Sequence, residues 1–328
     1  MSPVLQLLIA ACLWSTSGVL IKMVDWNPLA ISGVRSAIAA VVIGIAVRRP
    51  RLTWSARQIA GTLCYAASVT LFVMAVKWTT AANAILLQYT APVYVALLSA
   101  WCLDEPASPS DWLAIGVMLV GVSLFFVDEL STTGFWGNVA ALASGVAFAG
   151  LIVSLRSQKH GSPFESVLFG NLLVALLTIP AMRGPSPGAT GWWALIILGV
   201  FQLGLAHLLY ATALKSVPAI EGAITPMIEP ILNPLWVFLW LGERPGPYAM
   251  IGGSVVLGTV AVRTWLAFTR PAAGRPLEPI SEQALPDDGD LFSAPDEDRP
   301  QPHESAPEAI AAPAAPGTPP DAAHPPDA

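Results

Sequence analysis

The sequence predicts an all-α integral membrane protein of ten transmembrane helices, arranged as two inverted five-helix repeats and followed by a disordered C-terminal tail. Three observations predict this fold class. Of 328 residues, 54% are hydrophobic and only 12% are charged, whereas a soluble domain carries about 25% charged residues. Ten apolar runs have the length that crosses a bilayer. The later runs also resemble the earlier ones after a fixed shift along the chain.

The ten apolar runs are each near the roughly 20 residues that a bilayer core requires. We number them as spans 1 to 10. They cover residues 3–23, 29–47, 58–76, 81–103, 111–127, 135–155, 163–181, 191–214, 219–241 and 248–268. The links between them are short, which leaves little room for a soluble domain before the tail.

The tail, residues 271–328, differs sharply from the body in composition. It holds 12 of the 22 acidic residues, two of the 16 basic residues and 14 of the 30 prolines. Such a segment buries too little apolar surface to offset its chain entropy, so we predict that it is disordered and cytoplasmic. The predicted domains are residues 1–130 and 131–270, one repeat each, followed by the tail.

Basic residues in the links predict the orientation, because they resist translocation. With the N-terminus in the cytoplasm, ten basic residues lie inside and four outside. The sequence therefore predicts a multi-pass membrane protein with both termini cytoplasmic.

The internal repeat appears when the chain is shifted by 138 positions. Lys77 then matches Lys215, Pro92 matches Pro230, and Glu105 matches Glu243. Near the start of each half the agreement is looser, and Lys22 aligns with Arg156 at a shift of 134 positions. Because each half has an odd number of spans, the second half enters the membrane from the opposite side, which is the inverted arrangement common in secondary transporters.

The segments "VKWTTAANAILLQYTAPVYVALLSAWCLDE" and "LKSVPAIEGAITPMIEPILNPLWVFLWLGE" resemble the drug/metabolite transporter superfamily of EamA type. The resemblance covers roughly residues 5–268. It implies a plasma-membrane carrier of small organic solutes that often exports amino acids or related metabolites. It also implies a central cavity lined by spans 1, 3, 4, 6, 8 and 9, with spans 5 and 10 peripheral. The halves differ within the repeat, since Ala91 stands where the second half has Glu229.

Glu229 is the strongest candidate for a functional residue. In a helix, Glu221, Thr225, Glu229 and Asn233 follow at i+4 steps and form one polar stripe. A charge at mid-membrane costs on the order of 3 kcal/mol, so the stripe should face a wet cavity or a partner helix. Loss of hydration disfavours the carboxylate, which suits a proton carrier. The alternatives are substrate binding or proton coupling, and a hydrogen bond that holds the bundle together.

Other polar and aromatic side chains are predicted at similar depth in spans 1, 4 and 8. The predicted substrate-binding residues are Trp14, Ser15, Asn83, Gln88, Tyr89, Gln202, His207, Tyr210, Thr225, Glu229 and Asn233. His207 could share a proton with Glu229 or be satisfied by one neighbour. Trp14 and Tyr89 could form an aromatic wall or simply pack. The prolines that flank Glu229 are expected to kink span 9.

Arg35 lies near the start of span 2. We expect it to reach the membrane interface or to pair with Asp25 rather than to bind an anion. Small residues four apart, such as Gly145 with Ala149 and Ser254 with Gly258, indicate close helix packing. That packing lies within one chain or in a homodimer.

The functional alternatives are an exporter, an uptake or facilitated-exchange permease, and a non-transporting membrane partner subunit. A membrane-embedded enzyme is disfavoured because the sequence lacks hydrolase, zinc-protease and phosphate-loop motifs. We predict no cofactor and no metal. The expected partners are a small-molecule substrate and the lipid bilayer, and no nucleic acid.

Overall fold

The computed structural model describes residues 1–125, 127, 134–183, 186–232 and 247–269. All regular elements in these ranges are helical. The α-helices are Pro3–Trp14, Ser17–Met23, Pro28–Val47, Ala56–Trp78, Ala81–Gln88, Ala91–Cys102, Pro109–Phe125, Phe135–Ser157, Phe164–Leu177, Ala189–Ile197, Ala206–Leu214, Ala219–Ile224 and Pro247–Thr269. Short 3₁₀ turns cover Ile179–Met182 and Thr225–Ile228, and a π-helix covers Leu198–Leu205.

Six of the described helical stretches are long and apolar enough to cross a bilayer. They are Pro3–Met23, Pro28–Val47, Ala56–Trp78, Asn83–Cys102, Phe135–Ser157 and Ala189–Leu214, and shorter apolar helices cover Pro109–Leu124, Phe164–Leu177 and Met250–Arg263. Together with the start of span 9 at Ala219, these account for all ten predicted spans. The all-helical membrane fold is therefore confirmed. The tail and Glu243 lie outside the described residues.

Local sequence sets where several spans begin. Span 1 starts after Ser2, whose hydroxyl accepts a hydrogen bond from the Leu5 amide at 3.3 Å. The Asn27 side chain accepts one from the Leu29 amide at 2.9 Å at the start of span 2. Ser55 and Thr80 do the same for spans 3 and 4. Such side chains satisfy amides that have no partner within the first helical turn.

In the part of the chain that the structure describes, three spans are interrupted along their length. Span 1 breaks between Trp14 and Ser17, and span 4 breaks between Gln88 and Ala91, directly before Pro92. Span 9 passes through the 3₁₀ turn Thr225–Ile228. Such breaks free backbone carbonyls, and a membrane tolerates them where the backbone is buried in protein or lines a cavity. Span 8 is continuous but widens into the π-helix.

The packing of the spans obeys the repeat. Span 3 packs on span 6, and their counterparts in the other half, spans 8 and 1, also pack on each other. Span 2 packs on span 8, and their counterparts, spans 7 and 3, pack on each other as well. Spans 5 and 10 pack mainly against each other. Each pair is converted into its counterpart by exchanging the two halves, so the repeat seen in the sequence is also a repeat of contacts.

The two halves run in opposite directions. At one end of the bundle, the Lys77 end, the Lys77 ammonium donates to the Val24 carbonyl at 2.6 Å, and Asn83 donates to Asn138 at 3.1 Å. At the other, the Lys215 end, Arg156 donates to the Lys215 carbonyl at 3.1 Å. Span 6 runs from Asn138 to Arg156, so the two repeat-related lysines lie at opposite ends, as inverted repeats require.

Candidate functional site

A cavity of about 60 Å³ lies inside the bundle. It is lined by Trp14, Ser17, Arg35, Ser68, Val69, Phe72, Gln88, Tyr89, Ala91, Pro92, Phe148, Gln202, Leu203, His207, Ala223, Pro226 and Glu229. These residues come from the six spans that the resemblance implies, together with span 2. A water molecule requires about 10–15 Å³ of such space, so the cavity has room for about four to six waters.

Glu229 and Tyr89 meet at this cavity from the two halves. The Tyr89 hydroxyl lies 2.6 Å from Glu229 Oε2 and 3.0 Å from the Pro226 carbonyl oxygen. The hydroxyl has one proton and can donate to only one acceptor at a time. An ionised Glu229 would accept that proton, whereas a protonated Glu229 would donate to the hydroxyl, which would then donate to Pro226. The geometry accommodates both states of the carboxyl group.

The interrupted helices explain this meeting. Tyr89 sits in the break of span 4, immediately before Thr90 and Pro92, and Pro226 sits in the 3₁₀ turn of span 9. In a regular α-helix the donor to the Pro226 carbonyl would be residue 230, which is a proline and has no N–H. In the 3₁₀ turn this oxygen accepts from the Glu229 amide, and its second lone pair accepts from Tyr89 of the other half.

Arg35 also lines the cavity, and the expectation that it reaches the interface or pairs with Asp25 is wrong. Its side chain is buried, with 1% of the residue exposed. One terminal nitrogen donates to Gln202 Oε1 at 3.3 Å and the other to the Val69 carbonyl at 2.9 Å. Span 2 begins at Pro28, so Arg35 is two turns inside it, too deep for its side chain to reach water.

An aromatic cluster forms another part of the wall. The Trp14 ring lies 5.1 Å from the His207 ring and 4.9 Å from the Tyr210 ring, measured between centroids. Phe148 is 5.9 Å from Trp14 in an edge-to-face arrangement. His207 Nδ1 lies 3.0 Å from the Leu203 carbonyl. The histidine is thus held by its own helix, and Glu229 has Tyr89 as its partner.

The remaining predicted residues divide between the cavity and other places. Gln88 lines the cavity and donates to Ser144 Oγ at 2.7 Å. Ser15 donates to the Cys12 carbonyl at 2.7 Å, and Tyr210 donates to the Gly222 carbonyl at 2.9 Å. Asn83 lies at the Lys77 end, where it contacts Asn138.

Thr225 and Glu221 point toward the Lys215 end, away from Glu229. Thr225 donates to Glu221 Oε1 at 2.8 Å, and Glu221 accepts from Arg263 at 2.9 Å. Arg263 also forms an ion pair with Asp111. The predicted stripe is therefore shared between a charge cluster with spans 5 and 10 and the cavity. Asn233 lies outside the described residues.

A second charge cluster joins four spans at the Lys215 end. Arg156 pairs with Glu105 at 2.8 Å and also donates to the Leu214 and Lys215 carbonyls at 3.1 Å each. Glu105 Oε2 accepts from the Ala219 amide at 3.1 Å. Burial alone would raise the pKa of Glu105, but the hydrogen bonds from Arg156 and Ala219 lower it below its ordinary value. The cluster connects spans 4, 6, 8 and 9.

Sequence reasoning missed several contributors to the site. Among them are Arg35, which was placed at the interface, Phe148, and Ser144 as the partner of Gln88. For Arg35 a signal was present, since Pro28 after Asn27 is a strong helix start and sets the arginine two turns deep. Phe148 could have been found from the repeat, because the alignment of Lys22 with Arg156 matches Trp14 with Phe148.

The sequence model of the EamA-like transporter family matches the chain twice, over residues 1–127 and 135–265. The chain belongs to the EamA-like transporter family. The first match covers spans 1 to 5 and the second covers spans 6 to 10. Membership assigns the chain to the drug/metabolite transporter superfamily and to transporters rather than to a class of enzymes.

Relatives of this EamA-like transporter include named exporters. The threonine/homoserine exporter RhtA of Escherichia coli strain K12 is 25% identical over 244 residues, which cover 70% of this chain and 80% of RhtA. A probable terminal-alkyne amino-acid exporter of Streptantibioticus cattleyicolor is 26% identical over 251 residues, 71% of this chain and 80% of the relative. An uncharacterized transporter of Archaeoglobus fulgidus is 28% identical over 197 residues, 60% of this chain and 71% of that protein.

A crystal structure of a protein with 21% sequence identity has the same fold, with a TM-score of 0.69 over 80% of this chain and 98% of that one. At this identity the likeness concerns the fold alone. Within the described residues, no group of three or more histidine, cysteine, aspartate or glutamate side chains is placed to hold a metal ion. What the site offers is a largely apolar cavity with aromatic walls, to which one carboxyl group and one guanidinium group contribute.

Proposed function

We propose that this protein is a secondary transporter of the plasma (inner) membrane that exports a small organic solute, an amino acid or a related metabolite, by alternating access. The observation that carries the proposal is the cavity between two inverted halves, to which one half contributes Tyr89 and the other Glu229. A site shared by two antiparallel halves can open to either side when the halves rock against each other.

The choice of an amino acid rests on the relatives. Two of them are named as exporters of amino acids, namely threonine and homoserine in one case and a terminal-alkyne amino acid in the other. A cavity with one acidic and one basic group suits a zwitterion, because each charge of such a solute requires a partner away from water. The bound solute would contact Trp14, Gln88, Tyr89, Gln202, His207 and Glu229.

The membrane orientation follows from charge. In the proposed topology the Lys215 end, with Arg57, Arg156 and Lys159, faces the cytoplasm, and so do both termini. The proposed function does not depend on a homodimer. If the protein forms one, the small residues Ser254 and Gly258 of span 10 would allow close helix contact.

Proton coupling through Glu229 is the mechanism we propose for driving export. Glu229 lies in the cavity, and Tyr89 can hold it in the ionised and in the protonated form. Inward movement of a proton on this carboxyl group would be exchanged for outward movement of the solute.

The test has two stages. Metabolites in the medium of cells that overproduce the protein are compared with those of cells that lack it, and each enriched compound is then tested for counterflow in liposomes that contain purified protein. Export predicts at least one enriched amino acid or relative of one, and counterflow that requires the protein. A solute depleted from the medium would indicate uptake instead. No flux from the purified protein would favour a non-transporting partner subunit.

A further inference from the structure

We propose that Arg35 binds the carboxylate of the transported solute, so that the substrate class is restricted to solutes that carry a carboxylate. This inference rests on the proposed function, because it concerns the same cavity. It assigns to span 2 a direct contact with the substrate, and it makes the guanidinium group the feature that separates amino acids from amines and amides.

The first argument is that the charge of Arg35 has no counterion. Only 1% of the residue is exposed. Its two hydrogen-bond acceptors, the Gln202 side-chain amide and the Val69 carbonyl, are neutral. Among the described residues no carboxylate lies within 4.0 Å of the guanidinium group, and the buried Nε has no partner there. A buried ionised group without a counterion is unfavourable, so the site attracts an anion.

The second argument is the direction in which the group is accessible. Arg35 is one of the residues that line the central cavity, so an anion inside it lies beside the Arg35 side chain. Two of the five N–H donors are occupied by Gln202 and Val69. The remaining donors have the planar geometry that binds a carboxylate through two hydrogen bonds. The acceptors already in place fix the orientation of the group.

The third argument is the separation of charges. Arg35 comes from span 2 and Glu229 from span 9, and both line one cavity without forming an ion pair with each other. Glu229 instead has Tyr89 as its partner. A zwitterion could place its carboxylate at Arg35 and its ammonium group at Glu229. A solute with one charge would leave one of the two groups without a counterion.

A purely structural role for Arg35 does not explain why the side chain at this position is charged. Arg35 does connect spans 2, 3 and 8 through Val69 and Gln202. A neutral donor such as glutamine could make two hydrogen bonds of this kind without a buried charge. A direct pair with Glu229 in another conformation is the competing explanation. It predicts that neutralising both residues restores what neutralising Arg35 alone removes.

The test uses purified full-length protein in liposomes. Counterflow of each of the 20 radiolabelled L-amino acids is measured first, and the best transported one is then competed with its own carboxamide and its own amino alcohol. We expect both analogues to compete at least about tenfold less well than the amino acid, since buried donors that lose their partner discriminate strongly. Analogues that compete equally well would overturn the inference without any mutation.

The matched variants are Arg35→Gln and Arg35→Lys, with Arg183→Gln as control because Arg183 is exposed at the Lys77 end. We expect Arg35→Gln to lose most counterflow and to reduce the discrimination to within about threefold, and Arg35→Lys to retain part of both. Arg183→Gln should behave as wild type. Unchanged discrimination in Arg35→Gln, or rescue of it by Glu229→Gln, contradicts the inference.

Two outcomes keep this inference separate from the proposed function. If neither an amino acid nor any compound enriched in the medium shows counterflow with the wild-type protein, the proposed function fails, and this inference falls with it. If counterflow occurs but the carboxylate does not matter, only the inference fails. Should the Arg35 variants not fold, as judged by size-exclusion chromatography in detergent, the competition by analogues of the wild-type substrate decides alone.

Discussion

The Tyr89 hydroxyl lies 2.6 Å from Glu229 Oε2 and 3.0 Å from the carbonyl oxygen of Pro226. One hydroxyl thus joins span 4 of the first half to the kinked part of span 9 in the second half. Because its proton can be directed to either acceptor, a change in the charge of Glu229 changes a hydrogen bond between the halves. Protonation of Glu229 therefore changes the hydrogen bond between the halves, and a rocking motion of the halves would alter the same hydrogen bond.

Replacing Glu229 by glutamine should abolish the dependence of transport on a pH gradient. The variant keeps an acceptor for Tyr89 but has no group that can carry a proton. Counterflow of the transported solute is measured in liposomes with and without an imposed gradient, with Asp25→Asn as control, because Asp25 is exposed at the Lys77 end. A Glu229→Gln variant that still responds to the gradient would show that the proton is carried elsewhere.

Replacing Tyr89 by phenylalanine should slow transport about tenfold or more. The change removes a hydrogen bond to a group that is charged in one of its states, and such bonds contribute about 1.5–3 kcal/mol. In a double-mutant cycle with Glu229→Gln, the two effects should not add, since both variants disturb the same contact. Independent, additive effects on the initial rate would mean that the hydrogen bond has no part in transport.

Gly145→Ala should destabilise the protein, whereas Gly116→Ala should not. A Cβ atom at Gly145 would lie 2.9 Å from the Gln88 carbonyl oxygen, so spans 4 and 6 would have to separate. Overpacking of this kind costs about 1–3 kcal/mol. A Cβ atom at Gly116 meets nothing within 4 Å. Thermal unfolding in detergent, followed by tryptophan fluorescence, compares the two, and equal midpoints would contradict the packing described between spans 4 and 6.

The Glu105 cluster should make the folded state lose stability in acid. Its pKa is lowered in the fold by Arg156 and Ala219 despite burial. The stabilisation is therefore complete above the unfolded value of about 4.3 and is lost as the pH falls through the lower folded value. Glu105→Gln should remove this part of the acid sensitivity and cost about 1–2 kcal/mol at neutral pH.

The matched control for Glu105 is Asp104→Asn. Asp104 is adjacent and exposed, and its φ of 54° is a left-handed conformation that asparagine also tolerates. Unfolding midpoints between pH 3 and pH 7 are compared for wild type and both variants. If Asp104→Asn lost the acid sensitivity and Glu105→Gln kept it, the assignment to Glu105 would be wrong.

Cysteine labelling should place Asp25 and His160 on opposite sides of the membrane. Both residues are exposed, Asp25 at the Lys77 end and His160 at the Lys215 end. In a variant without the native cysteines, Asp25→Cys should react with a membrane-impermeant maleimide in intact cells. His160→Cys should react only after the cells are opened. The reverse pattern would invert the proposed orientation but leave the fold intact, and labelling of both from outside would contradict the inverted repeat.

The ten spans were predictable because apolar runs of bilayer length carry most of the information about a membrane fold. The repeat was predictable for the same reason, since Lys77 and Lys215 mark matching helix ends. The break at Ser15 and the π-helix Leu198–Leu205 were not predicted. They depend on hydroxyl-to-carbonyl bonds and on packing between spans, which a linear pattern of hydrophobicity does not contain.

The site was predictable only in part. Glu229 at the cavity follows from the cost of a buried charge. The i+4 stripe failed to keep Thr225 with Glu229 because the 3₁₀ turn Thr225–Ile228 rotates the helix by more per residue than an α-helix does. Glu221 is held by Arg263, which lies 42 residues away in the sequence. The depth of Arg35 depended on a helix boundary, which is the least certain feature of a sequence pattern.

Trp14 and Phe148 occupy matching positions of the two halves, and their rings are 5.9 Å apart. Equivalent positions can touch only where the axis that relates the halves passes, so this axis runs through the aromatic wall of the cavity. If the halves were identical, the form open to one side and the form open to the other would be related by a two-fold rotation and would have equal energy. Which side of the membrane the cavity opens to at rest therefore depends on repeat-related positions that differ between the halves. Trp14 with Phe148 is one such pair, and Ala91 with Glu229 is another.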